Sequence, residues 1–198
     1  MIAEQVKRPR LTMPEAEAAA LHQVYAAASV ILEYGSGGST LMAAELPDKR
    51  ITSVESDAAW LARMQAWFVE NPPASLPLMH HGNIGPTKPW GYPATNDTFR
   101  RWPSYAQSVW DLPGFAAPDV VLIDGRFRLA CLLTVALRTT KPVVAIVDDY
   151  IDRPPYHDAE AVLGAPQMIG RMARFDLTPG LVPMTRLALV IESHLRPF

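Results

Sequence analysis

The sequence predicts an α/β domain: a Rossmann-like, doubly wound, mostly parallel seven-stranded sheet with an antiparallel last strand. Three observations carry this. Apolar, strand-like runs alternate with helical segments through most of the chain, the pattern of parallel strands joined by crossover helices. One of these runs, Val30-Ile-Leu-Glu-Tyr34, passes directly into the bend Gly35-Ser-Gly-Gly38 and then into Leu41-Met-Ala-Ala-Glu45, which reads as a helix start. Strand, tight bend and helix make a cradle for a nucleotide-like ligand. Finally, Glu33 with Gly35, Glu55, Asn83, Asp124 and Asp148 with Asp149 all fall at the C-terminal ends of expected strands. In an open α/β sheet those ends line the ligand crevice.

Composition bounds the rest. A chain of 198 residues, 49% hydrophobic and 19% charged, suits one domain over 1–198. The net charge of −2 lacks the basic excess of a phosphate-backbone binder, so no nucleic-acid partner is expected. Cys131 is the only cysteine, which excludes an intrachain disulfide and fits a reducing, cytoplasmic setting. Its apolar surroundings, Leu129-Ala-Cys-Leu-Leu133, make it a buried small hydrophobe. No apolar run approaches the ~18 residues of a membrane span, and Met1–Arg10 lacks the apolar core of a signal peptide.

In chain order, residues 1–11 read as a loose lead. Thr12-Met-Pro-Glu15 matches a capping box for a helix over Ala16–Ala28, with Leu21, Val24 and Tyr25 on one face. After the first strand, Gly35 and Gly37 permit positive φ and close approach of a ligand to the backbone, while Ser39 or Thr40 can cap the next helix. The second strand, Arg50–Val54, ends in Glu55, at about the interval from Gly35 at which dinucleotide folds place a carboxylate on a ribose. Ser56 or Asp57 caps a helix reaching Glu70, with Trp60 and Trp67 on one face, and Asn71-Pro-Pro73 stops it.

Leu76–Ile84 contains the third strand. His80 and His81 are adjacent there and point to opposite faces, which argues against a shared metal. Residues 85–118 form an insertion rich in proline and aromatic residues, expected either to cover an acceptor site or to make a homodimer contact, with a short helix at Ser104–Asp111. Pro118–Asp124 is apolar enough to be buried on both faces of a parallel sheet. A helix over Leu129–Thr139 and a strand over Lys141–Val147 follow, the strand ending in Asp148-Asp149-Tyr150. A short helix over Tyr156–Leu163 precedes two closing strands, Met168–Leu177 and Arg186–Glu192, with no helix between them, which implies a hairpin.

Glu33-x-Gly35-x-Gly37 resembles motif I of the class I S-adenosylmethionine-dependent methyltransferases, with Ser39 where a third glycine is common. Glu55 is similar to the acidic residue of motif II. Asp124, closing the fourth strand, resembles motif IV of the small-molecule O-methyltransferases. The resemblance covers roughly residues 13–150. It implies S-adenosylmethionine as cofactor and methyl transfer to a small-molecule acceptor, at a hydroxyl. On that basis Glu33 would orient the methionine amino end, with Gly35, Ser36, Gly37 and Ser39 lining the cofactor. Glu55 and Ser56 would hold the ribose. Asn83 would meet the adenine edge and Ile84 its face, and Asp124 would sit nearest the methyl group.

Catechol-type relatives hold Mg²⁺ on an aspartate after the fourth strand and an Asp-Asn pair after the fifth. Asp124, Asp148 and Asp149 supply the equivalent oxygen ligands here. His157 is a candidate general base, and Arg126 with Arg128 could bind an anionic acceptor. Two rival readings are a catalytically silent binding module of the same fold and a nicotinamide-dependent oxidoreductase. The second expects a glycine near Thr40 and gives Glu33 no role.

Overall fold

The computed structural model describes residues 7–198. The lead expected over 1–11 therefore lies in part outside the described residues. In chain order the elements are α1 (Glu15–Ala27), β1 (Val30–Tyr34), α2 (Gly38–Glu45), β2 (Arg50–Glu55), α3 (Ala58–Glu70) and β3 (Leu78–His81). A two-strand ribbon, β4 (Thr87–Lys88) and β5 (Tyr92–Pro93), and α4 (Pro103–Gln107) come next. The chain continues through β6 (Val120–Ile123), α5 (Arg128–Arg138), β7 (Val143–Val147), α6 (Glu160–Leu163), β8 (Gln167–Ile169), β9 (Met172–Leu177) and α7 (Leu187–Ser193).

The main sheet has seven strands in the order β3-β2-β1-β6-β7-β9-β8. The first five are parallel, and β9 runs antiparallel to both β7 and β8. Both faces are apolar, as alternation within each strand requires. Ile31, Val120, Leu122 and Ile146 meet α1, α2 and α3 on one side, whereas Leu32, Tyr34, Val121, Ile123 and Val147 meet α4, α5 and α7 on the other. The chain leaves β1 toward β2 on one side and reaches β6 on the other, so the β1/β6 boundary is a topological switch point.

Two expectations are corrected, and the proline-rich stretch takes a definite place. α1 begins at Glu15 behind Pro14, without a side-chain cap, so the box on Thr12 does not form. The proline-rich stretch expected as an insertion forms the β3-to-β6 crossover that parallel strands need, and its Pro89–Tyr92 segment borders the cavity described below. Trp102, Tyr105, Ala106 and Val109 from it are buried in the larger core cluster, which leaves Trp90 and Phe99 as its large exposed aromatics. These side chains stabilise the single chain. Lastly, Arg186–Glu192 is helical: Val190, Ser193 and His194 are buried at helical spacing, and α7 packs on α5. The closing hairpin lies earlier, with Gly170 (φ +55°) and Arg171 as its two-residue turn. A short apolar run cannot by its periodicity choose between strand and buried helix.

Candidate active site

A cavity of about 780 Å³ opens at the switch point, walled by the segments that follow β1, β2, β6 and β7 and roofed by Pro89–Tyr92 of the crossover. Its floor is where the loops after β1 and β6 touch. A Cβ on Gly35, whose φ is +100°, would lie 2.7 Å from the Gly125 backbone, and one on Gly125 would lie 2.9 Å from the Gly35 nitrogen. Neither position has room for a side chain. Gly37 faces open space. Its N–H donates to Thr40 Oγ1 at 2.9 Å, so Thr40 is turned inward and Ser39 lines the cavity. The first N–H groups of α2 have no intrahelical acceptor, and they sit at the positive end of the helix dipole.

Glu55 is held by its neighbours. Its Oε1 accepts from the backbone N–H of Ser56 at 2.7 Å and of Asp57 at 2.8 Å, and Oε2 accepts from that of Ser36 at 3.2 Å. Burial pushes its carboxyl up, and these N–H groups oppose the shift. Oε2 keeps unused lone pairs and lines the cavity with Ser56. Ser56 Oγ donates to the Gly91 carbonyl at 2.9 Å, which ties the roof to this wall. Trp60 joins the wall from α3, its Nε1 donating to the Ser36 carbonyl at 2.8 Å.

At the opposite wall, Asp124, Asp148 and Asp149 each place an oxygen within 4.8 Å of the others. Arg128 and Arg171 lie among them. Arg128, with 4% of its side chain exposed, is 2.9 Å from Asp124 and 3.5 Å from Asp149. Arg171 donates bidentately to Asp148 at 2.9 and 2.7 Å and is 3.3 Å from Asp149. Burial pushes the Asp124 carboxyl up to about 7; Arg128 opposes the rise, and Asp148 and Asp149 add to it. The spacing alone would suit a divalent cation, but the donor set does not fit one. Two guanidiniums already pair with all three carboxylates, and one net negative charge remains when Asp124 is ionised.

Gly35, Ser36, Gly37, Ser39, Glu55, Ser56 and Asp124 therefore line one cavity, as do Asp148 and Asp149. Glu33, Asn83, Ile84 and His157 do not. Glu33 lies beneath the glycine loop, fully buried, accepting from Tyr25 Oη at 2.8 Å. Its Oε2 has no partner among the described residues, and burial lifts its carboxyl against the pull of nearby hydroxyls, Thr40 first. Asn83 turns away to accept from the Gly85 N–H at 3.0 Å, and Ile84 is sealed in the core. His157 stacks on Tyr150 at 4.7 Å, its Nε2 3.0 Å from the Tyr150 carbonyl. Sequence reasoning missed Arg171, Trp60 and Tyr92 as cavity residues. For Arg171 the signal was present, because Gly170-Arg171 separates two short apolar runs as a hairpin turn does.

No family model matches the chain, and no curated protein matches it. Among solved structures it is similar to a methyltransferase-like protein from Silicibacter pomeroyi, at 49% identity over 96% of this chain and 99% of that one, with a TM-score of 0.92. It is also similar to an O-methyltransferase of tomaymycin synthesis from Streptomyces achromogenes in complex with S-adenosylmethionine, at 20% identity over 79% and 64% of the two chains (TM-score 0.50). An O-methyltransferase from Bacillus cereus in complex with S-adenosylhomocysteine matches at 14% identity over 70% and 58% (TM-score 0.50). At these identities the last two show a shared fold.

Proposed function

The chain belongs to the class I S-adenosylmethionine-dependent methyltransferase family, and from that premise we propose that it transfers the methyl group of S-adenosylmethionine to a hydroxyl oxygen of a small-molecule acceptor in the cytoplasm. The observation that carries the reading is the convergence of Gly35, Glu55 and Asp124, from three different strands, on one cavity.

The cofactor would supply a methyl group already activated on a sulfonium. What the chain adds is position, charge and dryness. The side-chain-free face of Gly35 and Gly37 admits close approach to the backbone. Glu55 Oε2 is placed to accept from ribose hydroxyls in charge-assisted bonds. The single negative charge left on the Asp124–Asp148–Asp149 cluster suits a monovalent cationic group better than Mg²⁺, so no step here uses a metal. Asp124, whose raised pKa makes its carboxylate a stronger base, would take the acceptor's hydroxyl proton. Pro89–Tyr92, which borders the cavity, would help to exclude bulk water from the bound cofactor.

The test is formation of S-adenosylhomocysteine from S-adenosylmethionine across a panel of phenols, hydroxy acids and sugars. Acceptor-dependent turnover is expected, falling at least tenfold in Glu55→Ala and in Asp124→Asn. Cofactor binding without turnover on any acceptor would support the silent binding module instead.

A further inference from the structure

We propose that the acceptor carries an anionic oxygen group, a carboxylate or a phosphate, and that Arg126, seated on the ring of Tyr92, binds it. The inference rests on the methyl-transfer reading of the same cavity and adds the chemical class of the acceptor.

Accounting for the charges of the cavity wall leads to it. Every carboxylate there has its donors. Asp57 caps α3 through the N–H groups of Ala59 and Trp60, at 2.8 and 3.0 Å. Glu55 is bound by three backbone N–H groups. Asp124, Asp148 and Asp149 share Arg128 and Arg171. Those two arginines are spent on the aspartates, which removes Arg128 from the pair first considered for an acceptor.

Arg126 is different. No side-chain hydrogen bond or ion pair to it occurs among the described residues, although it lines the cavity. Its Nε is buried and has no acceptor among the described residues. An unsatisfied buried N–H costs free energy, and a native fold keeps one where something else completes it. Its guanidinium carbon lies 4.1 Å from the centroid of the Tyr92 ring. An aromatic face can hold a guanidinium flat and partly dehydrated, and its edge then offers paired donors in the geometry of a carboxylate or phosphate.

Position fits as well. Arg126 is two residues past Asp124, so an anion on it lies beside the group assigned to the acceptor's proton. Arg153 lines the same cavity, exposed and without a side-chain partner among the described residues. By contrast Arg100 and Arg101 lie outside the cavity wall. With Arg10 and Arg63, which also line the cavity, the wall carries six arginines against five carboxylates, a surplus of one positive charge in a chain whose net charge is −2.

The experiment is a calorimetric comparison on protein saturated with S-adenosylhomocysteine, at constant ionic strength. The probes are 4-hydroxybenzoate, its neutral analogue 4-hydroxybenzamide, and inorganic phosphate. At least one anion is expected to bind tenfold or more tighter than the amide. Which anion does so separates a carboxylate site from a phosphate site. Arg126→Met should abolish the preference while changing S-adenosylhomocysteine affinity less than twofold, and Arg126→Lys should restore only part of it. Arg153→Gln, at an exposed position that does not threaten folding, should weaken the same anion about threefold.

Equal binding of the anions and the amide would overturn the proposal, as would a preference that survives Arg126→Met. A parallel loss of S-adenosylhomocysteine affinity in Arg126→Met would assign the arginine to the cofactor's own carboxylate and overturn it too. Should S-adenosylhomocysteine fail to bind while an anion preference that depends on Arg126 persists, the cofactor reading falls and the anion site stands.

Discussion

Gly35 and Gly125 meet backbone to backbone at the ends of β1 and β6. Gly35→Ala adds a Cβ at 2.7 Å from main chain and forces a φ of +100° on an L side chain. It should cost about 3 kcal/mol in a urea unfolding titration. A second test at this scale uses Asp124, whose carboxyl is lifted from 3.8 to about 7. Between those values the folded chain holds a proton that the unfolded chain has released, so Asp124 makes stability fall as pH rises from about 4 to about 7. Unfolding followed across that range should show the decline in the wild type and a flatter profile in Asp124→Asn. With 30% of the Asp124 side chain exposed, solvent screening keeps the effect modest. Single residues were legible in the sequence where backbone geometry or strand position dictates them, as for Gly35, Glu55 and Asp124. Asn83, Ile84 and His157 were read from proximity to a strand end alone. Which way a loop side chain turns depends on bonds such as Asn83 to Gly85 that sequence spacing does not encode.

The closing hairpin matters more than its length suggests, because its turn delivers Arg171 to the cluster after β7. Arg171→Met would leave Asp148, whose side chain is 2% exposed, without its bidentate partner. A loss of about 3–5 kcal/mol is expected for breaking such a pair. The same variant, with carboxylate oxygens freed, should regain thermal stability on addition of millimolar Mg²⁺, whereas the wild-type midpoint should not move. Equal Mg²⁺ responses would contradict the assignment of those oxygens to guanidiniums. Placing this hairpin some residues late hid Arg171 from the sequence reading. Gly170, which weakens Met168–Leu177 as a single strand, is the turn itself. The crossover left two readings open for a related reason: aromatic residues in an irregular stretch look alike whether they face a partner or the chain's own core. Trp102→Ala distinguishes the two, since the indole is 5% exposed and 5.7 Å from the Phe127 ring. Truncation should cost about 3–5 kcal/mol in the isolated protein, where an interface residue would cost little.

Across the molecule, the sheet order β3-β2-β1-β6-β7-β9-β8 puts the switch point between β1 and β6 and gathers the C-terminal ends of the parallel strands along one edge. That architecture was readable because both-face burial of β6 and β7 leaves continuous apolar runs, and because β1, β6 and β7 are each followed by a charged or glycine residue. Among the described residues no helix is long and apolar enough to cross a membrane. The acceptor's identity was not readable, because it depends on how the crossover folds back over the strand ends and on which arginines the aspartates consume. The claim on which the rest stands is that the cavity at the switch point holds the cofactor, and calorimetric titration with S-adenosylhomocysteine tests it most directly. Saturable binding at a single site is predicted, weakened at least tenfold, or about 1.4 kcal/mol, in Glu55→Ala. Absence of binding at millimolar ligand, or an affinity indifferent to Glu55, would contradict the account.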